Sequence, residues 1–470
     1  MKNNLFFGKL VIVFVVTFFG FVLRYHNYDK VPFPGESMDE YSYSWMGMSL
    51  IKTGMPVGIS GIDGYKNNIS RYINVDRVFQ NTASGNPMTI NWPWFDHPPL
   101  LGLITGGYAL SQGVENFEET NIFIIRRPMV ILGSLTLFLV IILAWVCFGF
   151  NTAVISGLIY ASSPVIVVGS RMVQGENGLI PWYLLTLISL VLYFKNKNKE
   201  WLIFGAVSAG LASLFKLSGV VAIMSGIFLL WSERNTLGIK WKEDVNKFSL
   251  ISLAITSLFL LFGFIYGINQ FVEIFNSNSE RFYGIGSEAI YNLLIQVKIT
   301  NRKFLTDPWI LLGWVSMLVI LMSNKLKLGE KVLVIGTFSY LGIYLMLGSH
   351  PYGWYVFPFF PTLIISLGLI FTKIFDSNRK MLSGVFLTLI PVGYFLTKFI
   401  DIVEFQKYAS VWKFGLVGII LFFIAMRIDT KVILNKLGYR LLFGLIFLVS
   451  IYLNIRYVLM LTIDYWYKAI

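Results

Sequence analysis

The chain has 470 residues and a net charge of +13, yet only 13% of its residues are charged while 56% are hydrophobic. Soluble domains carry about 25% charged residues, so the composition excludes a soluble protein and leaves a polytopic integral membrane protein. The basic excess does not mark a nucleic-acid partner. Lys and Arg fall in short loops between apolar runs, which is the cytoplasmic bias of membrane topology, with attraction to anionic lipid as a by-product.

The first apolar span covers residues 10–25. Arg24-Tyr25-His26 follows it where a small-residue cleavage site would end a signal peptide, so the span reads as uncleaved. A long outer loop, 26–127, comes next. Within it, residues 39–52 read as an amphipathic helix lying on the membrane, with Trp45, Met48 and Ile51 as apolar anchors. Residues 97–112 form a second apolar stretch, short and glycine-containing. Further apolar segments fall near 128–148, 152–169, 178–194, 201–215, 217–231, 248–269, 308–323, 331–348, 355–372, 381–399, 412–426 and 440–460. That predicts an all-α membrane protein of about 13 transmembrane helices, each near or somewhat short of the ~20 residues a bilayer needs. A second outer loop covers 270–307. The lone Cys147 excludes an intramolecular disulfide and a Cys-rich metal site.

Loop charge decides two ambiguous segments. As one helix, 201–231 would be about 46 Å long, too long for a ~30 Å hydrocarbon core, and Lys216 lies at its centre. Two short spans turning at Lys216 place Lys195, Lys197 and Lys199 on the same side as Arg234, Lys240, Lys242 and Lys247. If 97–112 crossed, the later basic loops, carrying Lys325, Lys373 and Arg427 among others, would face outward. Treated as a juxtamembrane helix, it leaves them inside. The expectation is a cytoplasmic N-terminus and an outward C-terminus. Residues 1–400 read as one membrane module and 401–470 as further spans, with no separate soluble domain.

Ionisable groups near hydrocarbon are rare and tend to mark chemistry or substrate sites, which singles out Asp39 and Glu40. Adjacent helical positions point about 100° apart, so one carboxylate works on a substrate and the other is structural. Capping of the helix by its acids is the plain alternative. Asp96-His97-Pro98-Pro99 reads either as a helix start or as a site where Asp96 and His97 hold a divalent metal or His97 a phosphate. Arg171 and Glu176 form an ion pair at an interfacial turn, or both face the vestibule. Arg281 sits among aromatics in the second outer loop, where a guanidinium fork suits phosphate oxygens. Lys216, His350 and Tyr355 fall on the same side. Several cations on one face predict an anionic ligand at the membrane surface, a lipid phosphate. A carboxylate beside it predicts group transfer from a lipid-phosphate carrier.

These residues resemble the GT-C superfamily of membrane glycosyltransferases, in the branch of protein O-mannosyltransferases and lipid A aminoarabinose transferases. The resemblance is carried by Met38-Asp39-Glu40-Tyr41 after the first span, Asp96-His97-Pro98-Pro99-Leu100 before the second interfacial helix, and Arg127-Pro128 opening the next span. It continues through Arg171 and Glu176, Lys216-Leu217-Ser218-Gly219, Arg281, and His350 to Pro361. The aminoarabinose transferases have a Glu–Lys pair where this chain has Asp96-His97. The resemblance implies an inverting glycosyltransferase of the plasma (inner) membrane that moves a sugar from a polyprenyl-phosphate carrier to a hydroxyl acceptor on the outer face. It implies Asp39 as general base, with Glu40 and Glu176 beside it. Arg281, His97, Lys216, His350, Arg171 and Tyr355 would gather round the donor phosphate. A transporter or flippase of lipid-linked sugars is the alternative outside enzymes, and an O-antigen-type ligase or polymerase the alternative within them.

Overall fold

The computed structural model describes residues 2–71, 88–280, 287–294, 296–299, 304–347, 353–377, 381–428 and 433–468. After α1 (Lys2–Tyr25), the first loop forms α2 (Asp39–Thr53), β1 (Gly58–Ile59), β2 (Asn67–Arg71), β3 (Met88–Trp92), α3 (Leu100–Ser111) and the short α4 (Ile122–Ile125). The bundle continues with α5 (Arg127–Phe148), α6 (Phe150–Ser162), α7 (Pro164–Gly169), α8 (Gly175–Asn196), α9 (Lys199–Phe215) and α10 (Val220–Ser232). Next come α11 (Arg234–Leu237), α12 (Trp241–Thr256), α13 (Leu258–Tyr266), α14 (Ile268–Ser279), α15 (Ser287–Leu294), β4 (Gln296–Lys298) and β5 (Phe304–Thr306). The remainder is α16 (Pro308–Leu321), α17 (Leu328–Leu347), α18 (Phe360–Phe375), α19 (Met381–Leu396), α20 (Ile402–Lys407), α21 (Ala409–Ile428), α22 (Ile433–Met460) and α23 (Ile463–Lys468).

Among the described residues, seven helical stretches are long and apolar enough to cross a membrane, and six shorter apolar helices accompany them. The architecture is the helical, polytopic one that the hydropathy predicts. The strands it does not predict make two small antiparallel sheets inside the loops, ordered β1-β3-β2 and β4-β5.

The expected hairpin at 201–231 is present. α9 ends at Phe215, Lys216 is extended, a 3-10 turn at Leu217–Gly219 follows, and α10 returns. Two expected single spans are each two helices. Segment 152–169 breaks at Ser163 because Pro164 has no N–H to continue the ladder and opens α7 instead. Segment 248–269 breaks at Ser257, between α12 and α13.

The largest departure is α2. It is not a membrane-surface helix anchored by one face: every residue from Glu40 to Ser49 is buried, Trp45 and Met48 included, and only Ile51 of the three predicted anchors is exposed. α3 covers it along its length. The two backbones touch where Gly47, Gly102 and Gly106 meet. A Cβ on Gly47 would fall 1.8 Å from the Gly102 carbonyl oxygen, and one on Gly106 would fall 2.4 Å from the Ser44 carbonyl oxygen. Ser44 Oγ also donates to Thr105 Oγ1 at 3.1 Å. α1 packs against α5 and α6, α8 against α9 and α5, and α22 reaches α6 and α7. At the tail, Trp466 Nε1 donates to Glu36 Oε1 at 3.0 Å, so α23 lies against the loop that leads into α2.

Candidate active site

The two adjacent carboxylates have different fates. Neither caps the helix, because Met38 is the N-cap and no side chain bonds to the first-turn amides there. Glu40 is fully buried and faces Arg126, whose Nε and Nη2 donate to its two oxygens at 2.8 and 2.6 Å. The Val173 amide donates to Glu40 Oε2 at 3.0 Å as well. Arg126 is itself held by the Tyr28 and Pro32 carbonyls at 3.0 and 2.7 Å. A buried charge persists only when paired and hydrogen-bonded, and this one is satisfied on every side. It welds α2 to the start of α5 and to the turn before α8.

Asp39 is only partly buried and points elsewhere. Burial pushes its carboxyl up to about 6. Lys216 draws it down, Glu176 and Glu40 push it up further, and a hydrogen bond from Gln174 lowers it. Those four influences map its surroundings: the turn before α8, the first turn of α8 and the α9–α10 hairpin. Gln174 Nε2 donates to Ser37 Oγ at 2.7 Å, which fixes the approach to Asp39 from the preceding loop.

Glu176 and Lys216 form a buried ion pair beside Asp39, through Lys216 Nζ and Glu176 Oε1. The extended backbone at Lys216 throws its side chain across the end of α8, where it also lies 4.2 Å over the Tyr355 ring. Gly175 makes the approach possible. A Cβ there would fall 2.8 Å from the Tyr43 hydroxyl and 2.9 Å from Lys216 Cδ. Burial and the Glu176 and Asp39 charges hold the Tyr43 hydroxyl protonated, well above its usual range. Two buried oxygens in this cluster have no hydrogen-bond partner among the described residues: the Tyr43 hydroxyl and Glu176 Oε2. One is a donor and one an acceptor, so the cluster holds an unmet demand for a group that is both, such as a hydroxyl.

Asp96 and His97 form a neighbouring shelf. Asp96 Oδ1 accepts from Ser60 Oγ at 2.9 Å and from the Tyr65 hydroxyl at 2.6 Å, and burial and Asp96 together keep that phenol protonated. The His97 ring stacks on Tyr43 at 5.1 Å and meets Trp94 edge-on at 5.8 Å. Among the described residues no three His, Cys, Asp or Glu side chains gather to hold a cation. Asp96 Oδ1 is held in place by two hydroxyls.

Arg171 corrects the sequence expectation in both its forms. It is neither the ion-pair partner of Glu176 nor a vestibule group. Fully buried, it donates to the carbonyls of Leu23, Arg24 and Val31 at 2.8, 3.1 and 3.0 Å, collecting two orphan acceptors at the end of α1 and one in the loop beyond it. Arg281 and His350 lie outside the described residues. Sequence reasoning missed Arg126, Gln174 and Tyr43, although Tyr43 stands four residues after Asp39, on the same face of a helix.

Residues 96–270 match the family of dolichyl-phosphate-mannose-protein mannosyltransferases. No curated protein matches the chain in sequence. Among solved structures, ArnT from Cupriavidus metallidurans bound to undecaprenyl phosphate aligns with a TM-score of 0.57 at 14% identity, over 98% of this chain and 77% of that one. AglB, the archaeal oligosaccharyltransferase from Archaeoglobus fulgidus in complex with an inhibitory peptide and a dolichol-phosphate, aligns at 0.54 and 12% identity over 96% of this chain and 56% of its own. The arabinosyltransferase EmbB from Mycobacterium smegmatis aligns at 0.54 and 11% identity over 94% of this chain and 40% of its own. The fold is that of the GT-C membrane glycosyltransferases, and the chain resembles their protein mannosyltransferase and ArnT branch.

Proposed function

We propose that this GT-C-fold chain is an inverting glycosyltransferase that moves one sugar from a polyprenyl phosphate to a hydroxyl acceptor at the membrane surface. The observation that carries the proposal is the division of labour between neighbours. Glu40 is consumed by Arg126, while Asp39 stays partly exposed beside a Glu176–Lys216 pair with its carboxyl raised to about 6. A base is most effective when its pKa lies near the working pH, and a carboxylate at about 6 is mostly ionised at neutrality yet more basic than an exposed one.

In this mechanism Asp39 takes the proton of the acceptor hydroxyl. The freed oxygen attacks the anomeric carbon, the bond from that carbon to the phosphate oxygen breaks, and its electron pair leaves on the lipid phosphate. Arg281, His97 and His350 are the groups proposed to stabilise that phosphate charge, which is commonly the larger part of catalysis. Lys216 reaches it only with Glu176 at its side. Tyr43 and Glu176 Oε2 hold a sugar or acceptor hydroxyl between a donor and an acceptor. Donor, acceptor and the outward orientation of the site belong to this proposal. The lipid phosphates named with ArnT and AglB support the carrier class.

The test is purified protein carrying Asp39→Asn, assayed with polyprenyl-phosphate sugars. Transfer is expected to fall by about 10²–10⁴, the contribution of a positioned base, with binding of the lipid-linked donor retained. Turnover at the wild-type rate would remove Asp39 from the role of base.

A further inference from the structure

α1 turns two faces outward from its axis. One, with Val13, Val16, Leu23 and Arg24, is buried against the bundle. The other is a file of rings: Phe14 is 68% exposed, Phe18 56% and Tyr25 50%. Neighbouring rings in this file stack on one another, Phe14 on Phe18 at 6.2 Å and 12°, Phe18 on Phe21 at 6.4 Å and 23°, Phe21 on Tyr25 at 5.8 Å and 22°. The file continues past the helix through Tyr28 to Phe123, at 5.2 and then 5.8 Å.

Arg127 caps the file. Its guanidinium lies 4.0 Å over the Phe123 ring, its Nε donates to the Tyr28 hydroxyl at 3.0 Å and its Nη1 to the Tyr108 hydroxyl at 3.4 Å. The Tyr28 hydroxyl passes its own proton to the Phe123 carbonyl at 2.9 Å, so it is oriented to accept from Arg127. The neighbouring Arg126 is neutralised by Glu40, and the buried Arg24 and Arg171 are hydrogen-bonded to backbone carbonyls, but Arg127 pairs with no carboxylate among the described residues. A half-buried guanidinium held in one orientation by hydroxyls and a ring, with Nη2 left over, has the geometry for a phosphate oxygen.

We propose that Arg127 and the ring file of α1 form a binding site for one anionic glycerophospholipid in the leaflet on the Asp39 side. Charge complementarity selects a phosphodiester over a zwitterion whose own ammonium competes. Length selects the chain: from Phe14 to Tyr25 the helix rises about 16 Å, roughly half of the ~30 Å hydrocarbon core, which is one acyl chain. A polyprenyl tail is longer than one leaflet and would overrun the file. The site uses none of the residues of the Asp39 cluster and does not depend on the glycosyltransferase proposal.

Native mass spectrometry of the purified full chain tests it, with phosphatidylglycerol and phosphatidylcholine of identical acyl chains, and undecaprenyl phosphate, as competing probes. Phosphatidylglycerol is expected to be retained about fivefold over phosphatidylcholine, the contribution of one interfacial arginine, and Arg127→Gln is expected to abolish the preference. Equal retention in wild type and Arg127→Gln overturns the proposal, as does displacement of phosphatidylglycerol by an equal amount of undecaprenyl phosphate. If Arg127→Gln does not fold, Phe14→Leu with Phe18→Leu reads the same site from its other end. These rings face lipid and are not core, so retention should drop with helical content unchanged, and unchanged retention overturns the proposal.

Discussion

Arg126 and Glu40 pair with both side chains fully buried, whereas Lys199 and Glu243, at the opposite end of the bundle, pair with 45% and 65% of their side chains exposed. Lys216–Glu176 at the Asp39 end is sealed on both sides, while Lys331–Glu233 and Lys373–Glu330 at the far end are intermediate, with lysines 30% and 50% exposed over buried glutamates. Exposed pairs are cheap to make and contribute little. Sealed pairs exact a desolvation penalty that only excellent geometry offsets. Charge at the far end sits where membrane topology puts it, while the Arg126–Glu40 and Lys216–Glu176 pairs at the Asp39 end are buried at a cost that topology does not require. The difference marks the Asp39 end as the place where position, not stability, is being maintained.

The contrast is broken most severely by removing one sealed partner. Arg126→Met leaves Glu40 buried without its cation and is expected to cost about 3–5 kcal/mol, while Lys199→Ala at the far end should cost no more than about 1 kcal/mol. Thermal unfolding in detergent measures both, and similar losses would erase the distinction between the ends. Tyr43→Phe sharpens it next. It deletes one unpartnered hydroxyl without changing shape, so the fold should be as stable as before, and kcat/KM should fall about 10–100-fold, the cost of leaving a substrate hydroxyl unmatched. Unaltered kcat/KM in that variant would take Tyr43 out of the substrate contacts.

The smallest effect is in pH dependence. Activity that needs ionised Asp39 should rise as pH passes through about 6 and be lost below it. Stability runs the other way. A carboxyl raised from 3.8 to about 6 binds its proton more tightly in the folded state, so stability falls as pH rises from about 4 to about 6 and stays at the lower value above that. With a discount for partial exposure, Asp39→Asn should therefore be more stable than wild type by about 1–2 kcal/mol at pH 7 and no different below about pH 4. Unfolding curves at the two pH values give the sign.

Much of this was legible before any coordinates. The helix register of Asp39 and Glu40 implies different surroundings for the two, and only Glu40 meets Arg126; loop charge splits 201–231 at Lys216, where the helix does break. Hydropathy located the apolar helices because it integrates over many residues. What stayed hidden was pairwise and distant. Arg126 meets Glu40 across 86 positions, and nothing in either local sequence names the other. Arg171 looked like a vestibule cation because a sequence shows charge and not the carbonyls at the end of α1 that absorb it. The burial of α2 was hidden for a related reason: periodicity tells which face is apolar, and α2 carries polar serines on faces that α3 covers. Gly47, Gly102 and Gly106 were visible as letters, but their meaning depended on two backbones meeting.

That meeting leaves the Asp39-bearing segment no freedom to slide or rotate. With Gly102 O less than a bond's contact distance from any methyl at position 47, the first carboxylate rides on a scaffold locked at backbone level. Any adaptation to a bulkier or differently shaped acceptor must come from the surrounding loops. Diversification of substrate in proteins built this way should be written in the surrounding loops and not in the strut that carries Asp39.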